Sequence, residues 1–183
     1  MVIQKRKSYT SLNNVYFLTA TIHKWRPLLD ENDNKGVIVD YLKKLSEEKL
    51  ISVYGFVLMP NHFHLIWSQD KMNGKETPQG SLLKYTAHTF LKQLKLENRS
   101  FLYEVISGNK KHEIWQRDSL SIEIYSRKVA KQKLAYIHSN PVSGKWQLAK
   151  DYLDYHFSSA RFYEYAQDDF GFLHNLFTVF DGE

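Results

Sequence analysis

The amino-acid sequence predicts an α+β fold in the order βαββαβ, with an antiparallel sheet and one additional helix after it. Three observations carry this. Runs rich in β-branched and aromatic residues alternate with amphipathic runs of helical period. Two of the apolar runs, 51–58 and 63–68, are separated only by a tight turn. Hydrophobic residues make up 43% and charged residues 25% of 183, so the chain can bury a real core and disorder is a poor account of it. A single domain over 1–183 follows, with 164–183 a C-terminal tail.

The elements fall in order. "VYFLTATI" (15–22) reads as a strand, and "WRPLLDENDN" (25–34) as a turn or loop. From Asn34 to Lys49, Val37, Ile38, Tyr41, Leu42 and Leu45 recur at helical spacing opposite Lys and Glu. Ile51–Leu58 is the second strand. Pro60 presets φ and Asn61 tolerates turn geometry, so Phe63–Ser68 returns as the other arm of a hairpin. A polar loop over 69–80 leads to a helix over Ser81–Glu97, with Leu82, Leu83, Ala87, Phe90, Leu91 and Leu94 on one side. Residues 107–113 read as a basic loop tip, and 114–125 contain an edge strand. Ser126 is a suitable N-cap for a helix ending near Ser139, before Pro141. "SSARFYEYAQ" suggests another helical piece. The βαββαβ order is that of the ferredoxin-like split unit.

Composition narrows the chemistry. With no cysteine, disulfides and thiolate metal sites are excluded, so a metal must be held by His, Asn, Gln or carboxylates. The N-terminal stretch has basic residues but no apolar core with a cleavage site, and no apolar run reaches membrane-spanning length; the expectation is a cytoplasmic protein with no membrane partner. A formal charge of +5 favours polyanion partners, though many basic proteins bind no nucleic acid.

"MPNHFHLIW" (59–67) stands out, because a core-like strand spends two positions on imidazole. Side chains two apart on a strand share a face, so His62 and His64 point together and Phe63 points away. Two adjacent imidazoles can each offer a nitrogen to one divalent metal. The simpler account of the spacing alone is one packed and one solvated histidine at a strand start. On a buried face, both rings need partners.

Residues that could complete a site lie in "KLAYIHSNPV" (133–142). Tyr136 and Asn140 are four apart, on one helix face, with Lys133 between them in angle. Ala130, Leu134 and Ile137 form the adjoining apolar stripe, which puts the polar three at its rim. His138 falls about 200° around the helix from Tyr136 and should face elsewhere. One reading makes Tyr136 a nucleophile, Asn140 an oxygen ligand beside the two histidines, and Lys133 a stabiliser of developing charge. A phenol is a weak nucleophile until it loses its proton, ordinarily near pH of about 10, so assistance is needed. The plainer reading is a core-margin tyrosine and an asparagine closing the helix before proline.

Together these segments resemble a known family. "GFVLMPNHFHLIW" resembles the motif of two histidines flanking a hydrophobic residue in the single-tyrosine HUH transposases of bacterial insertion sequences. "YIHSNPV" resembles the tyrosine helix of their relatives, the REP-associated tyrosine transposases, and "IWQRDS" (114–119) and "FSSARFY" (157–163) are similar to segments of that group. The resemblance runs from the first strand to about Tyr163. It implies a ferredoxin-like domain acting on single-stranded or hairpin DNA, with Tyr136 as nucleophile forming a 5′-phosphotyrosine link, His62, His64 and Asn140 as metal ligands, and Mg²⁺ or Mn²⁺ as cofactor. Asparagine at the third ligand position tilts the likeness to the REP-associated group. The family includes swapped dimers, so a homodimer stays open. The acidic, aromatic tail beyond 163 matches nothing; covering the site, a dimer contact and a packing arm all stay open.

Candidate DNA-binding cations are Lys84 and Lys92 on the second helix, Lys110 and Lys111 at the loop tip, Arg117 and Lys133, with Gln4–Lys7 at the N-terminus. Tyr85 and Trp115 are candidates for stacking on unpaired bases, with a core position an equally good account of Trp115. Two other functions are weighed against a tyrosine transposase: a domesticated, non-catalytic hairpin-binding protein, and a hydrolytic metal phosphodiesterase. The second would need carboxylate ligands that the sequence does not cluster.

Overall fold

Residues 10–107, 110–117 and 119–181 are described by the computed structural model; the candidate basic segment 4–7 lies outside them. In chain order the elements are β1 (Val15–Thr21), α1 (Asn32–Glu47), β2 (Ile51–Met59), β3 (His62–Gln69), α2 (Pro78–Leu96), β4 (Glu104–Ser107), β5 (Lys110–His112), β6 (Leu120–Glu123), α3 (Arg127–Ser139) and α4 (Ala160–Tyr165). The main sheet has the order β2-β3-β1-β6, with every neighbouring pair antiparallel. This is the ferredoxin-like α+β arrangement, with β4 and β5 as a separate hairpin inserted before the last strand. Residues 107–113, expected as a loop tip, are therefore partly strand. The three residues of β5, Lys-Lys-His, have no apolar alternation to reveal them.

Period-two alternation sorts the strand side chains onto two faces. Tyr16, Leu18, Ala20, Phe63, Leu65 and Trp67 face α1 and α2, joining Ile38, Leu42, Leu45, Leu82, Phe90 and Leu94 in one core. Val15, Phe17, Val57, Met59 and Ile66 face the other way, onto Ala130, Leu134 and Ile137 of α3. A bulge in β2 between Val53 and Gly55 leaves Tyr54 as the extra residue and puts Gly55 beneath α3. A Cβ at Gly55 would lie 2.9 Å from Leu134 Cδ2 and 3.2 Å from Ile137 Cδ1, so the missing side chain is what lets α3 settle on the sheet.

Helix ends follow local chemistry. α2 begins three residues earlier than the apolar pattern suggests, because Thr77 caps it (Oγ1 accepts from Gly80 N, 3.1 Å) and Pro78 occupies the first turn. α1 likewise starts two residues early, at Asn32. α3 runs as read, with Ser126 Oγ accepting from Val129 N, and turns at Asn140–Val142 into a 3₁₀ segment closed by buried Pro141. Residues 166–181 then cross the edge of β2. Leu173 pairs with Val53, and His174 N donates to Val53 O. Leu176 and Phe180 bury against α3. The bulge carbonyl of Tyr54 accepts from Tyr163 Oη (2.6 Å). No helix of the described residues is long and apolar enough to cross a membrane.

Candidate active site

His62 and His64 open β3 on the face turned to α3. Both are buried, and their ring centroids are 4.9 Å apart. Their cross-strand partners are Thr21 and Thr19 on β1 and Met59 and Val57 on β2. Each ring is held through its Nδ1. Asn61 Oδ1 lies 2.7 Å from His62 Nδ1, and Thr19 Oγ1 lies 2.8 Å from His64 Nδ1. Such contacts fix ring orientation and leave the other nitrogen free to act as a ligand. His64 Nε2 is buried and has no hydrogen-bond partner.

The third helix reaches this pair within one chain. The Tyr136 ring meets His64 edge-on at 5.2 Å, and Phe17 lies between the layers, stacked on His64 at 5.1 Å. Lys133 Nζ sits 4.6 Å above the Phe17 ring. His62, His64, Lys133, Tyr136 and Asn140 together line one open cavity of about 450 Å³. Tyr136 is half-exposed, which suits a side chain that must meet a macromolecule. His138 points away: its Nε2 lies 2.9 Å from Ser159 Oγ, at the start of α4.

Electrostatics keep the imidazoles neutral at ordinary pH. Burial, then the charge of Lys145, lowers the His62 pKa to about 4. Burial, then His62 and Lys133, lowers that of His64 to about 3. Neutral rings carry the lone pairs that metal ligation requires. No group of three or more His, Cys, Asp or Glu side chains among the described residues could hold a metal. The candidate donors in the cavity lining are the two imidazoles and the Asn140 side chain, and the unpartnered His64 Nε2 is the observation that favours a ligand there.

The candidate cations divide. Lys133 lines the cavity. Lys84 and Lys92 lie on α2, across the sheet, where Lys84 pairs with Glu76 (2.6 Å). Lys111 and Arg117 line a groove of about 590 Å³ between α2 and residues 111–117, and Arg117 meets Glu113 at 3.1 Å. Lys110 opens β5, and its side chain lies outside what the structure describes. Trp115 is not a stacking surface: it is buried, packs on Phe63 and donates from Nε1 to Thr86 Oγ1. Tyr85 is exposed, but its ring already stacks on Tyr41 at 4.2 Å.

Sequence reasoning missed Thr19, the orienting role of Asn61, and two tryptophans that line the cavity, Trp25 and Trp146. Thr19 and Thr21 were findable, since they alternate with Leu18 and Ala20 and so share the histidine face. The tryptophans arrive from distant segments that no local period marks.

No family model matches the chain, and no curated protein matches it. Among solved structures, that of a REP-associated tyrosine transposase bound to a REP hairpin aligns over 94% of this chain and 93% of its own, with a TM-score of 0.63 and 18% identity. A second, provisionally described as a transposase from Deinococcus radiodurans R1, aligns over 73% of this chain and 96% of its own at 13% identity; its TM-score of 0.41 is too low to bear on fold or function. With a TM-score of 0.63 over nearly the whole of both chains, the chain has the fold of that REP-associated tyrosine transposase.

Proposed function

We propose that the chain is a REP-associated tyrosine transposase: a metal-dependent single-stranded DNA endonuclease and strand transferase acting at hairpin or palindromic DNA. The observation that carries this is the meeting of Tyr136 with His64 at 5.2 Å, in a cavity that Asn140 also lines and into which the unpartnered His64 Nε2 fits as a ligand. The fold's near-complete overlay on a transposase solved with a REP hairpin supports the substrate class.

In this reading Tyr136 Oη attacks a backbone phosphorus. The bond from phosphorus to the 3′-oxygen breaks, a 5′-phosphotyrosine bond forms, the phenol loses one proton and the 3′-oxygen gains one. One ester replaces another, so a later 3′-hydroxyl can reverse the step and join a different end. A divalent cation, Mg²⁺ or Mn²⁺, would be held by His62, His64 and Asn140 and would supply Lewis-acid polarisation of the phosphate. Thr19 and Asn61 keep both imidazoles aimed. Lys133 offers positive charge beside Phe17, where the phosphate oxygens would gather. Lys84, Lys92, Lys111 and Arg117 lie on another surface, and their contribution would be sequence-independent attraction to more distant phosphates.

The test is a covalent-adduct assay on a labelled DNA hairpin with a single-stranded flank. Wild type with Mn²⁺ or Mg²⁺ should give a denaturant-stable protein–DNA band, and Tyr136→Phe should give none while melting at the wild-type temperature. Cleavage by Tyr136→Phe at the wild-type rate would remove Tyr136 as nucleophile. Hairpin binding with no adduct under any divalent ion would favour the domesticated binding protein.

A further inference from the structure

Two tryptophans approach the His62 ring. The Trp25 ring lies 6.1 Å from it at 67°, and the Trp146 ring 6.1 Å at 48°. Both line the cavity shared with Tyr136 and Asn140. Trp25 is 59% exposed, so internal packing does not account for it. Its backbone does not account for it either. Lys24 and Trp25 are consecutive left-handed residues, φ 55° and 57°, a conformation that glycine or asparagine adopts far more easily than a bulky aromatic. The strained turn is nevertheless held in place: Asn61 Nδ2 donates to the Trp25 carbonyl (3.1 Å), while the same side chain's Oδ1 meets His62 Nδ1. One amide therefore ties the position of the indole to the orientation of the candidate ligand. Strain maintained beside a reactive site points to a contact made outside the chain.

The chemistry of the mouth specifies that contact. Trp146 is half-buried with one flank on the α3-side core, and Lys145 Nζ stands 5.1 Å over its ring. Lys133 flanks the same cavity from α3. Flat aromatic surfaces beside ammonium groups match unpaired nucleobases joined by phosphates. A duplex would present neither free base face to these rings, since stacking and pairing already cover them.

We propose that Trp25 and Trp146 are the base-stacking walls of this site, taking an unpaired nucleobase next to the phosphate presented to Tyr136. This rests on the reading of the cavity as a single-stranded DNA site. The grip would be tolerant of base identity, because every base has a π face, and would set which backbone position reaches the phenol.

The experiment is equilibrium binding of oligothymidylate to the full chain in EDTA, followed by intrinsic tryptophan fluorescence, with a blunt duplex as control. Of the four tryptophans, Trp67 and Trp115 are buried, so quenching reports mainly on Trp25 and Trp146. The single strand should quench wild type and the duplex should not. Trp25→Ala should weaken binding on the order of tenfold without lowering the melting temperature, Trp25→Phe should recover most of the affinity, and Trp146→Phe should remove a further share of the quenching. Wild-type affinity in Trp25→Ala, or equal quenching by the duplex, would overturn the proposal. The adduct assay separates the two readings. An intact Tyr136 adduct with unchanged Trp25→Ala binding sinks the stacking walls alone. Loss of binding in Trp25→Ala with no adduct under any metal sinks the nuclease alone.

Discussion

Alternate residues of β3 belong to two different kinds of interior. Phe63, Leu65 and Trp67 enter the core under α1 and α2, where the strand residues are apolar. His62, His64 and Ser68 are just as buried on the opposite face, under α3. There the polar atoms are matched by other side chains: distant Thr19 for His64, adjacent Asn61 for His62, and Ser159 for His138. The first face gains stability from apolar area removed from water. The second gives up part of that gain to hold neutral, aimed imidazoles against a helix that Gly55 allows to come close. The same strand thus supplies scaffold from one set of positions and candidate chemistry from the other, a division of the kind expected where function and stability compete.

Acid should separate the faces most strongly. His62 and His138 have pKa values lowered to about 4, and His64 to about 3, mainly by burial, against 6.5 when free. All three sit on the α3 side. The unfolded chain takes up protons below pH 6.5 that the folded chain refuses, so stability is full above that value and falls as pH drops toward 4. Each ring adds a slope of about 1.4 kcal/mol per pH unit. Urea unfolding followed from pH 7 to pH 4 should show the midpoint collapsing, and His138→Leu should flatten the profile. A flat wild-type profile would mean that these rings are solvated.

The next effect compares neighbours on one strand. Phe63→Ala should cost about 3–5 kcal/mol in denaturant unfolding, the ordinary price of an aromatic core cavity. His64→Leu should change metal-free stability by less than about 1 kcal/mol, because it removes an unpartnered buried nitrogen along with one hydrogen bond. The same variant should abolish adduct formation. A large stability loss in His64→Leu would make that ring structural.

Gly55→Val tests the seating of α3. Its side chain collides with Leu134 and Ile137, so a loss of about 1–3 kcal/mol is expected, with a larger proportional loss of adduct because α3 carries Tyr136. Adduct formation at the wild-type rate would show that the tyrosine does not depend on this close approach. The smallest effect belongs to the far surface. Lys92→Ala should weaken hairpin binding about twofold to threefold and lower the salt-dependence slope by about one, with cleavage per bound complex unchanged.

The legible parts of the molecule were those with a local cause. Period-two alternation placed β1, β2 and β3, and the Pro60–Asn61 turn placed the histidines at a strand start. The i, i+4 spacing put Tyr136 and Asn140 on one rim of α3, and it turned His138 away, toward Ser159 as the structure has it. The errors were also local. Thr77 and Pro78 start α2 before its apolar stripe begins, and β5 is too short and too charged to register as a strand. For Trp115 the sequence left stacking surface and core both open, because nothing nearby in sequence shows that Phe63 and Thr86 enclose it.

By itself, then, the sequence determined the order of the main-sheet strands and long helices, the face that the two histidines share and the helix rim that Tyr136 and Asn140 share, because these depend on backbone period and turn chemistry over a few residues. Only the tertiary structure decided that α3 crosses the sheet at Gly55 and reaches the pair in the same chain, that Thr19 and Asn61 hold the rings, and that two tryptophans from separate segments flank them. Apart from the Asn61–His62 contact between chain neighbours, those contacts join residues tens of positions apart, and packing, not local preference, selects among the many ways such segments could meet.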